Sequence, residues 1–357
     1  MTPSRPDGGS ANHEGRRMAV LKAGDRINNY LLEEMRGEGS FAQVWSARHH
    51  TLNKRVAIKV LTDPQYVRAF RQEGVVVHGL RHPNIVRVED IDAYDDPPYL
   101  IMELVDGPSL RQVIDAHPAG LPAGVCQTVL RGVCKALVAA HEAGLIHRDV
   151  KPANILLNHP AEQIAGLPEH AVKVGDFGLG RASTVTTASI MQSGSLQTDE
   201  GRSIAGTLAY MSPEQREGEP IDPRSDLYAV GIVLFEMLTG RRPAGIEMPS
   251  EIQPTVPSRL DDVFRRCYTR LEQRFPSARA VLDALQEAGR RLSASDPASV
   301  ATCPTCHGQV DPNDQFCIHC GHQLVATVPR CRACHAFVNA GDRYCIFCGS
   351  RLGAAGE

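Results

Sequence analysis

The chain has 357 residues, 42% hydrophobic and 22% charged, with a formal net charge of −3. These are ordinary values for a globular protein with room for two domains, and they exclude a disordered or fibrous chain. The near balance of charge removes any global pull toward nucleic acid or an anionic membrane.

In chain order, residues 1–25 are rich in Pro, Gly, Ser and Asn at their start and lack an apolar core. That stretch reads as a flexible leader and not as a signal peptide. Strand-like runs follow at Tyr30–Met35, Gln43–Ala47, Arg55–Leu61, Ile85–Asp92 and Tyr99–Leu104, interrupted by one helical segment at Gln65–His78. From Leu110 onward helical patterns dominate, at Val125–Ala143, Asp226–Leu238, Leu260–Leu271 and Ser277–Arg290. A β-rich part followed by an α-rich part predicts an α+β architecture of two lobes with a cleft between them. The longest mostly apolar run, Ala229–Leu238, is half of the ~20 residues that span a bilayer, so it reads as a buried helix, with no membrane contact and a cytoplasmic location expected. Residues 291–302 are small and polar and read as a linker after a domain at 26–290. A 28-residue repeat then aligns Cys303–Arg330 with Cys331–Glu357, cysteine for cysteine, placing two modules at 303–320 and 331–348 and a tail at 351–357.

Four motifs carry chemistry in the first 290 residues. Gly37-Glu38-Gly39-Ser40-Phe41-Ala42-Gln43-Val44 lies between two strand-like runs, where glycines let backbone N–H groups close over phosphates. Lys59 ends Val-Ala-Ile-Lys in the next strand. His147-Arg148-Asp149-Val150-Lys151-Pro152-Ala153-Asn154 packs a base, two cations and an amide ligand into eight residues, and Asp176-Phe177-Gly178 follows 22 residues after Asn154. A glycine-rich hairpin or a strand lysine is common by itself; this ordered series is not.

Residues of about 27–290 thus resemble a eukaryotic-type protein Ser/Thr kinase of the kind also found in bacteria. The resemblance implies ATP and Mg²⁺ or Mn²⁺ as cofactors and protein substrates as partners. It implies that Gly37, Gly39 and Val44 cover ATP, with Ala57 against adenine and the backbone of Glu103 and Val105 at the hinge beyond Met102. Lys59 would hold the α/β-phosphates and be oriented by Glu73. Asp149 resembles the base for the substrate hydroxyl, Lys151 the cation on the transferring phosphoryl group, and Asn154 and Asp176 the magnesium ligands. Thr207, in Gly206-Thr207-Leu208-Ala209-Tyr210-Met211-Ser212-Pro213-Glu214, would align Asp149 and Lys151. Glu214 would pair with Arg274, and Asp226 would anchor the catalytic-loop backbone. A nucleotide-binding pseudokinase scaffold is the rival reading, and the joint presence of Lys59, Glu73, Asp149, Asn154 and Asp176 disfavours it.

The chain departs from the family pattern in two places. The stretch between Gly178 and Ser212 is long and carries Ser183, Thr184, Thr186, Thr187, Ser189, Ser193, Ser195, Thr198 and Ser203. With Arg148 beside Asp149 this predicts autophosphorylation within 183–203. Only nineteen residues separate Gly240 from Leu260, and Pro243, Pro249, Pro254 and Pro257 among them argue against the extra helix usual in relatives.

Cys303, Cys306, Cys317 and Cys320, then Cys331, Cys334, Cys345 and Cys348, form Cys-x-x-Cys pairs spaced by ten residues. Each set offers the tetrahedral S₄ environment that Zn²⁺ prefers, so two structural Zn²⁺ sites are expected. Iron–sulfur ligation has different familiar spacings. Disulfides are disfavoured in a chain without an export signal. A 28-residue unit has too little core, so metal would supply most of its folding free energy. The pattern resembles a double zinc ribbon. Residues 301–357 hold Arg330, Arg332, Arg343 and Arg351 against Asp311, Asp314, Asp342 and Glu357, a formal sum of zero, which argues against nucleic acid and for a protein partner or an intramolecular kinase contact. Cys126, Cys134 and Cys267 lie in helical stretches and are expected to be buried and inert.

Overall fold

The computed structural model describes residues 21–39, 42–63, 66–68, 70–71, 78–177, 208–245, 247–293, 301–306, 308–310, 319–322, 331, 333–334, 348 and 350–351. The chain divides into two compact units, Met1–Ala288 and Gly289–Glu357.

The first unit opens with an antiparallel sheet of β1 (Arg26–Ile27), β2 (Tyr30–Glu38), β3 (Ala42–His49), β4 (Arg55–Leu61), β5 (Val88–Asp92) and β6 (Tyr99–Met102), in the order β1-β2-β3-β4-β6-β5. Side chains alternate between faces along a strand, so β4 sends Val56, Ile58 and Val60 one way and Ala57, Lys59 and Leu61 the other. The first three pack with Leu32, Trp45, Ala47, Tyr99 and Ile101 into a core of their own. Ala57 and Leu61 belong instead to the larger core that continues into the helices. Lys59, paired with Val44 on β3 and Leu100 on β6, stands on that second face.

Residues 21–25 are tied to the sheet, for the Gly24 N–H donates to the Leu32 carbonyl and Leu32 N–H to Asp25, both at 2.9 Å. Gly24 and Asp25, placed at the end of the expected leader, thus belong to the sheet's edge, the turn there being set by Gly24 at φ +93°. The strands expected at 85–92 and 99–104 are both shorter, Val88–Asp92 and Tyr99–Met102; in the first, Ile85 lies outside the sheet and bridges Val174 instead. Most of the segment 65–78 lies outside the described residues.

The helical lobe is built on Ala123–Glu142 and Arg224–Thr239. From Ser225 to Thr239 every residue is buried, as expected of a helix apolar all round. Ala123–Glu142 is, among the described residues, the helix long and apolar enough to cross a membrane by length and composition, and 67% of its apolar window is buried within the lobe. Gly132 on this helix faces β8 (Val172–Val174), where a Cβ would sit 2.6 Å from the Val172 Cβ. Only glycine permits that approach. β8 pairs with β7 (Ile155–Leu157), which puts the ends of the His147–Asn154 and Asp176 motifs side by side.

Among the described residues between Gly240 and Leu260 one short helix forms, Pro249–Ile252, and the next starts at Ser258. The helix expected over 260–271 ends at Cys267, where the chain turns at Tyr268 into a 3-10 turn at Leu271–Gln273. Ala278–Ser293 runs three residues beyond the expected end, into the proposed linker. Cys126, Cys134 and Cys267 are fully buried, and burial pushes the first and last thiols up to about 12 and the middle one well above its ordinary value.

In the second unit β9 (Ala301–Thr302) pairs antiparallel with β10 (Gln309–Val310), a narrow ribbon around the first Cys-x-x-Cys turn.

Candidate active site and cysteine clusters

A cavity of about 1430 Å³ opens between sheet and helices, lined by Gly37, Gly39, Val44, Ala57, Lys59, Met102, Glu103, Val105, Asp149, Lys151, Asn154 and Asp176 among others. Its roof is the β2–β3 hairpin, closed by the Gly39 N–H donating to the Ala42 carbonyl at 2.9 Å. Glu103 and Val105 follow β6. The Glu103 carboxylate accepts from the Arg87 N–H at 2.8 Å and from Lys173 Nζ at 2.9 Å, so its charge is turned from the cavity into a local pair.

On the floor, Asp149 and Asn154 are both more than nine-tenths buried. Asn154 Nδ2 donates to the Asp149 carbonyl at 2.9 Å and to Asp149 Oδ2 at 3.1 Å, leaving its amide oxygen as the group for a cation. Lys151 Nζ sits 2.9 Å from the same Oδ2. From 117 residues away Lys59, 3% exposed, donates to Asp176 Oδ1 at 2.7 Å. Burial alone would raise the Asp176 carboxyl, but Lys59 beside it, with Lys151 and His147 further off, holds it below the usual carboxylate range. A carboxylate kept ionised in the same cavity as an amide oxygen is a donor set that suits a hard divalent cation.

Two residues here hold left-handed backbone without being glycine, Arg148 at φ 68° and Asp176 at φ 58°. Such conformations cost of order 1–3 kcal/mol each and persist only when the surroundings enforce them. The enforcement is visible. Buried Asp226 accepts from the His147 N–H at 2.9 Å and the Arg148 N–H at 2.7 Å, and Gln215 Nε2 holds the Arg148 carbonyl at 2.9 Å. Around Asp176, His147 Nε2 meets the Gly175 carbonyl at 2.9 Å, the Gly175 N–H donates to the Asn154 carbonyl at 2.9 Å, and the His147 ring packs on Phe177 at 4.4 Å.

Glu214 and Arg274 form a bidentate pair at 2.6 and 2.9 Å. Ser212 is fully buried and caps the helix Pro213–Glu217 together with Gln215. Three supports escaped the sequence reading: Gln215, His147 acting through its ring, and Asn84, whose Nδ2 binds the Glu169 and Val172 carbonyls at 2.7 and 2.8 Å and so ties the segment before β5 to β8. No local pattern marks them, because each partner is distant in sequence. Glu73, Thr207, Gly178 and the hydroxyl-rich stretch 183–203 lie outside the described residues.

In the second unit the Sγ atoms of Cys303, Cys306 and Cys320 lie within 4.8 Å of one another, and so do those of Cys331, Cys334 and Cys348. Cys303–Cys320 and Cys331–Cys348 are each 3.6 Å apart. A tetrahedral Zn²⁺ with Zn–S of ~2.3 Å needs S···S of about 3.8 Å, so both clusters fit the ion. The Thr305 and Ala333 N–H groups donate to Cys303 and Cys331 Sγ at 3.4 Å, the same turn in both copies. Ser350 hydrogen bonding draws the Cys348 thiol down to about 6, toward the thiolate a metal requires. Cys317 and Cys345 lie outside the described residues, while His319 and His322 are exposed.

A family model for the protein kinase domain matches residues 30–306, and one for the double zinc ribbon matches 265–349. Among curated proteins, a probable serine/threonine-protein kinase of Clostridium perfringens is 38% identical over 227 residues, 62% of this chain and 30% of that protein. The serine/threonine-protein kinase PknB of Mycolicibacterium smegmatis is 38% identical over 225 residues (60% and 33%), and PknB of Mycobacterium tuberculosis 37% over 234 residues (63% and 34%). The chain spans about a third of the length of these relatives.

Proposed function

Since the chain belongs to the protein kinase domain family and carries a double zinc ribbon, we propose that it transfers the ATP γ-phosphate to Ser or Thr hydroxyls of proteins. The observation that carries this reading is the convergence of Lys59, Asp149, Lys151, Asn154 and Asp176 on one cavity.

Phosphoryl transfer needs charge neutralisation and in-line positioning more than covalent help. The β2–β3 hairpin, through Gly37, Gly39 and Val44, covers the phosphates, and Ala57 with the Glu103 and Val105 backbone takes adenine. Lys59 holds the α/β-phosphates; its bond to Asp176 keeps both charges neutralised until nucleotide and cation take them up. Asp149, fixed by Asn154, orients the acceptor hydroxyl and receives its proton, while Lys151 balances charge on the moving phosphoryl group. Asn154 and Asp176 would hold Mg²⁺, which when bound neutralises the phosphate oxygens. Glu73 and Thr207 complete the set as the orienting partner of Lys59 and the aligner of Asp149 and Lys151.

The reading extends to autophosphorylation within 183–203, supported by Arg148 beside Asp149. Intact-mass measurement of the full chain after incubation with Mg-ATP is expected to show added phosphate in the wild type and none in Asp149→Ala. An unchanged wild-type mass, with peptide substrates also unmodified, counts against the kinase reading.

Each ribbon holds one structural Zn²⁺ through four thiolates, and serves protein recognition or a regulatory contact with the kinase half. Free thiolate clusters suit the reducing cytoplasm, which is the proposed location. Cys303→Ser and Cys331→Ser are each expected to lower bound zinc, measured by elemental analysis, from two equivalents per chain to one. Retention of both ions in either variant would remove that cysteine from the ligand set.

A further inference from the structure

Beyond Asp149 and Lys151 the same cavity continues into a corner lined by Arg111, Tyr210, Glu236, Arg241 and Arg242. Glu236, 3% exposed, is engaged from within the protein. The Tyr210 hydroxyl donates to its Oε2 at 2.5 Å and Arg111 Nη1 to its Oε1 at 2.7 Å. Arg111 also meets Asp115 at 2.9 Å, while its Nε is buried without a partner among the described residues.

Arg241 and Arg242 are both exposed at the rim. Arg242 makes no ion pair among the described residues, and Arg241 makes one loose contact, 3.6 Å to exposed Glu247. The turn that carries them is held firmly. Gly240 sits at φ +72°, its N–H donates to the Glu236 carbonyl at 2.9 Å, and an added Cβ would lie 2.1 Å from the Pro118 carbonyl oxygen. Thr239 Oγ1 bonds the Arg241 carbonyl at 2.9 Å. Two guanidinium groups are thus presented from a rigid turn, with the neighbouring buried carboxylate engaged from within. A substrate segment bearing Lys or Arg finds repulsion here, and one bearing an oxyanion finds planar, fork-shaped donors.

Resting on the kinase reading above, we propose that Arg241 and Arg242 select protein substrates carrying an anionic side chain (Asp, Glu or an already phosphorylated residue) within a few residues of the acceptor hydroxyl. One Thr-containing peptide, made with neutral, Glu, phosphoserine or Lys flanks, tests this with the full-length protein and Mg-ATP. The expected kcat/KM of the Glu or phosphoserine version exceeds that of the neutral one roughly 3- to 30-fold, the worth of two exposed Arg–anion pairs, and the Lys version falls below it. The preference shrinks as salt is raised and resides in KM. A gain confined to phosphoserine assigns the anion to phosphate. In Arg241→Ala/Arg242→Ala the anionic-to-neutral ratio collapses toward one, and Arg242→Glu tilts it toward the Lys peptide; taking the ratio within each variant cancels any general loss of activity. Phosphate transfer by the wild type without anionic preference, or a preference that survives the double substitution, overturns the proposal while the kinase reading stands. Transfer to no substrate at all removes both.

Discussion

Asp149→Asn is expected to lower phosphate transfer to a protein Ser or Thr by roughly 10²- to 10⁴-fold, about 3–5 kcal/mol of transition-state stabilisation. The substitution keeps the size of the side chain and its contact with Asn154 Nδ2, but an amide cannot take the proton of the acceptor hydroxyl. It also leaves Lys151, 2.9 Å away, facing a neutral group. The loss should fall on kcat, because the residues proposed to hold ATP are untouched. Radiolabel transfer measured beside nucleotide affinity checks this. A variant within a few-fold of wild type would show that Asp149 is not the base, and a wild type that binds nucleotide but transfers nothing would favour the pseudokinase scaffold.

Arg274→Met carries the largest expected effect on stability. The guanidinium, 4% exposed, makes two bonds to a carboxylate that is also 4% exposed, and its other donors reach the Thr269 and Arg224 carbonyls. Removing one partner of a buried pair leaves the other charge dehydrated and unmatched, a cost of about 3–5 kcal/mol. For a domain of this size that lowers the thermal midpoint by roughly 6–20 °C. Replacing both residues by methionine should restore part of the loss, since a buried pair gains little over well-packed apolar groups. The pH dependence has a definite sign. Burial raises the Glu214 carboxyl, but Arg274 and hydrogen bonds from backbone, Ser225 and Ser212 outweigh it and bring it down to about 2 from an ordinary 4.5. A depressed folded value contributes stability above the ordinary pKa and loses it as pH falls toward the folded one. Wild-type stability should therefore decline between pH 4.5 and 2, and Glu214→Gln should flatten that decline. Denaturant midpoints across this range decide it, and an equal slope in both proteins would refute the linkage.

Much of the fold was legible because it rests on local patterns. β4 follows the expected residues 55–61 because β-branched residues alternate there with Ala57 and Lys59. Arg224–Thr239 follows from an apolar run with Gly240 as its left-handed cap. The prolines between Gly240 and Leu260 exclude a long helix, and the cysteine repeat announces two clusters of thiols. Boundaries were less legible where tertiary contacts override propensity, as where Ile85 leaves the sheet for Val174.

Local sequence patterns settled which chemical groups this protein owns and their order along the chain: a glycine-bearing hairpin, a strand lysine, an acid–lysine–amide loop, a second acid, and paired thiols. Spacing and periodicity are local properties, so a one-dimensional reading reaches them. Only the tertiary structure decided that Lys59 meets Asp176 across 117 residues, and that Arg148 and Asp176 are forced into left-handed backbone by buried hydrogen bonds. It also decided that Glu236 is occupied by Arg111 from 125 residues away. A side chain's partner at such separations is set by how sheet and helices pack, and packing depends on every surface at once rather than on any one segment.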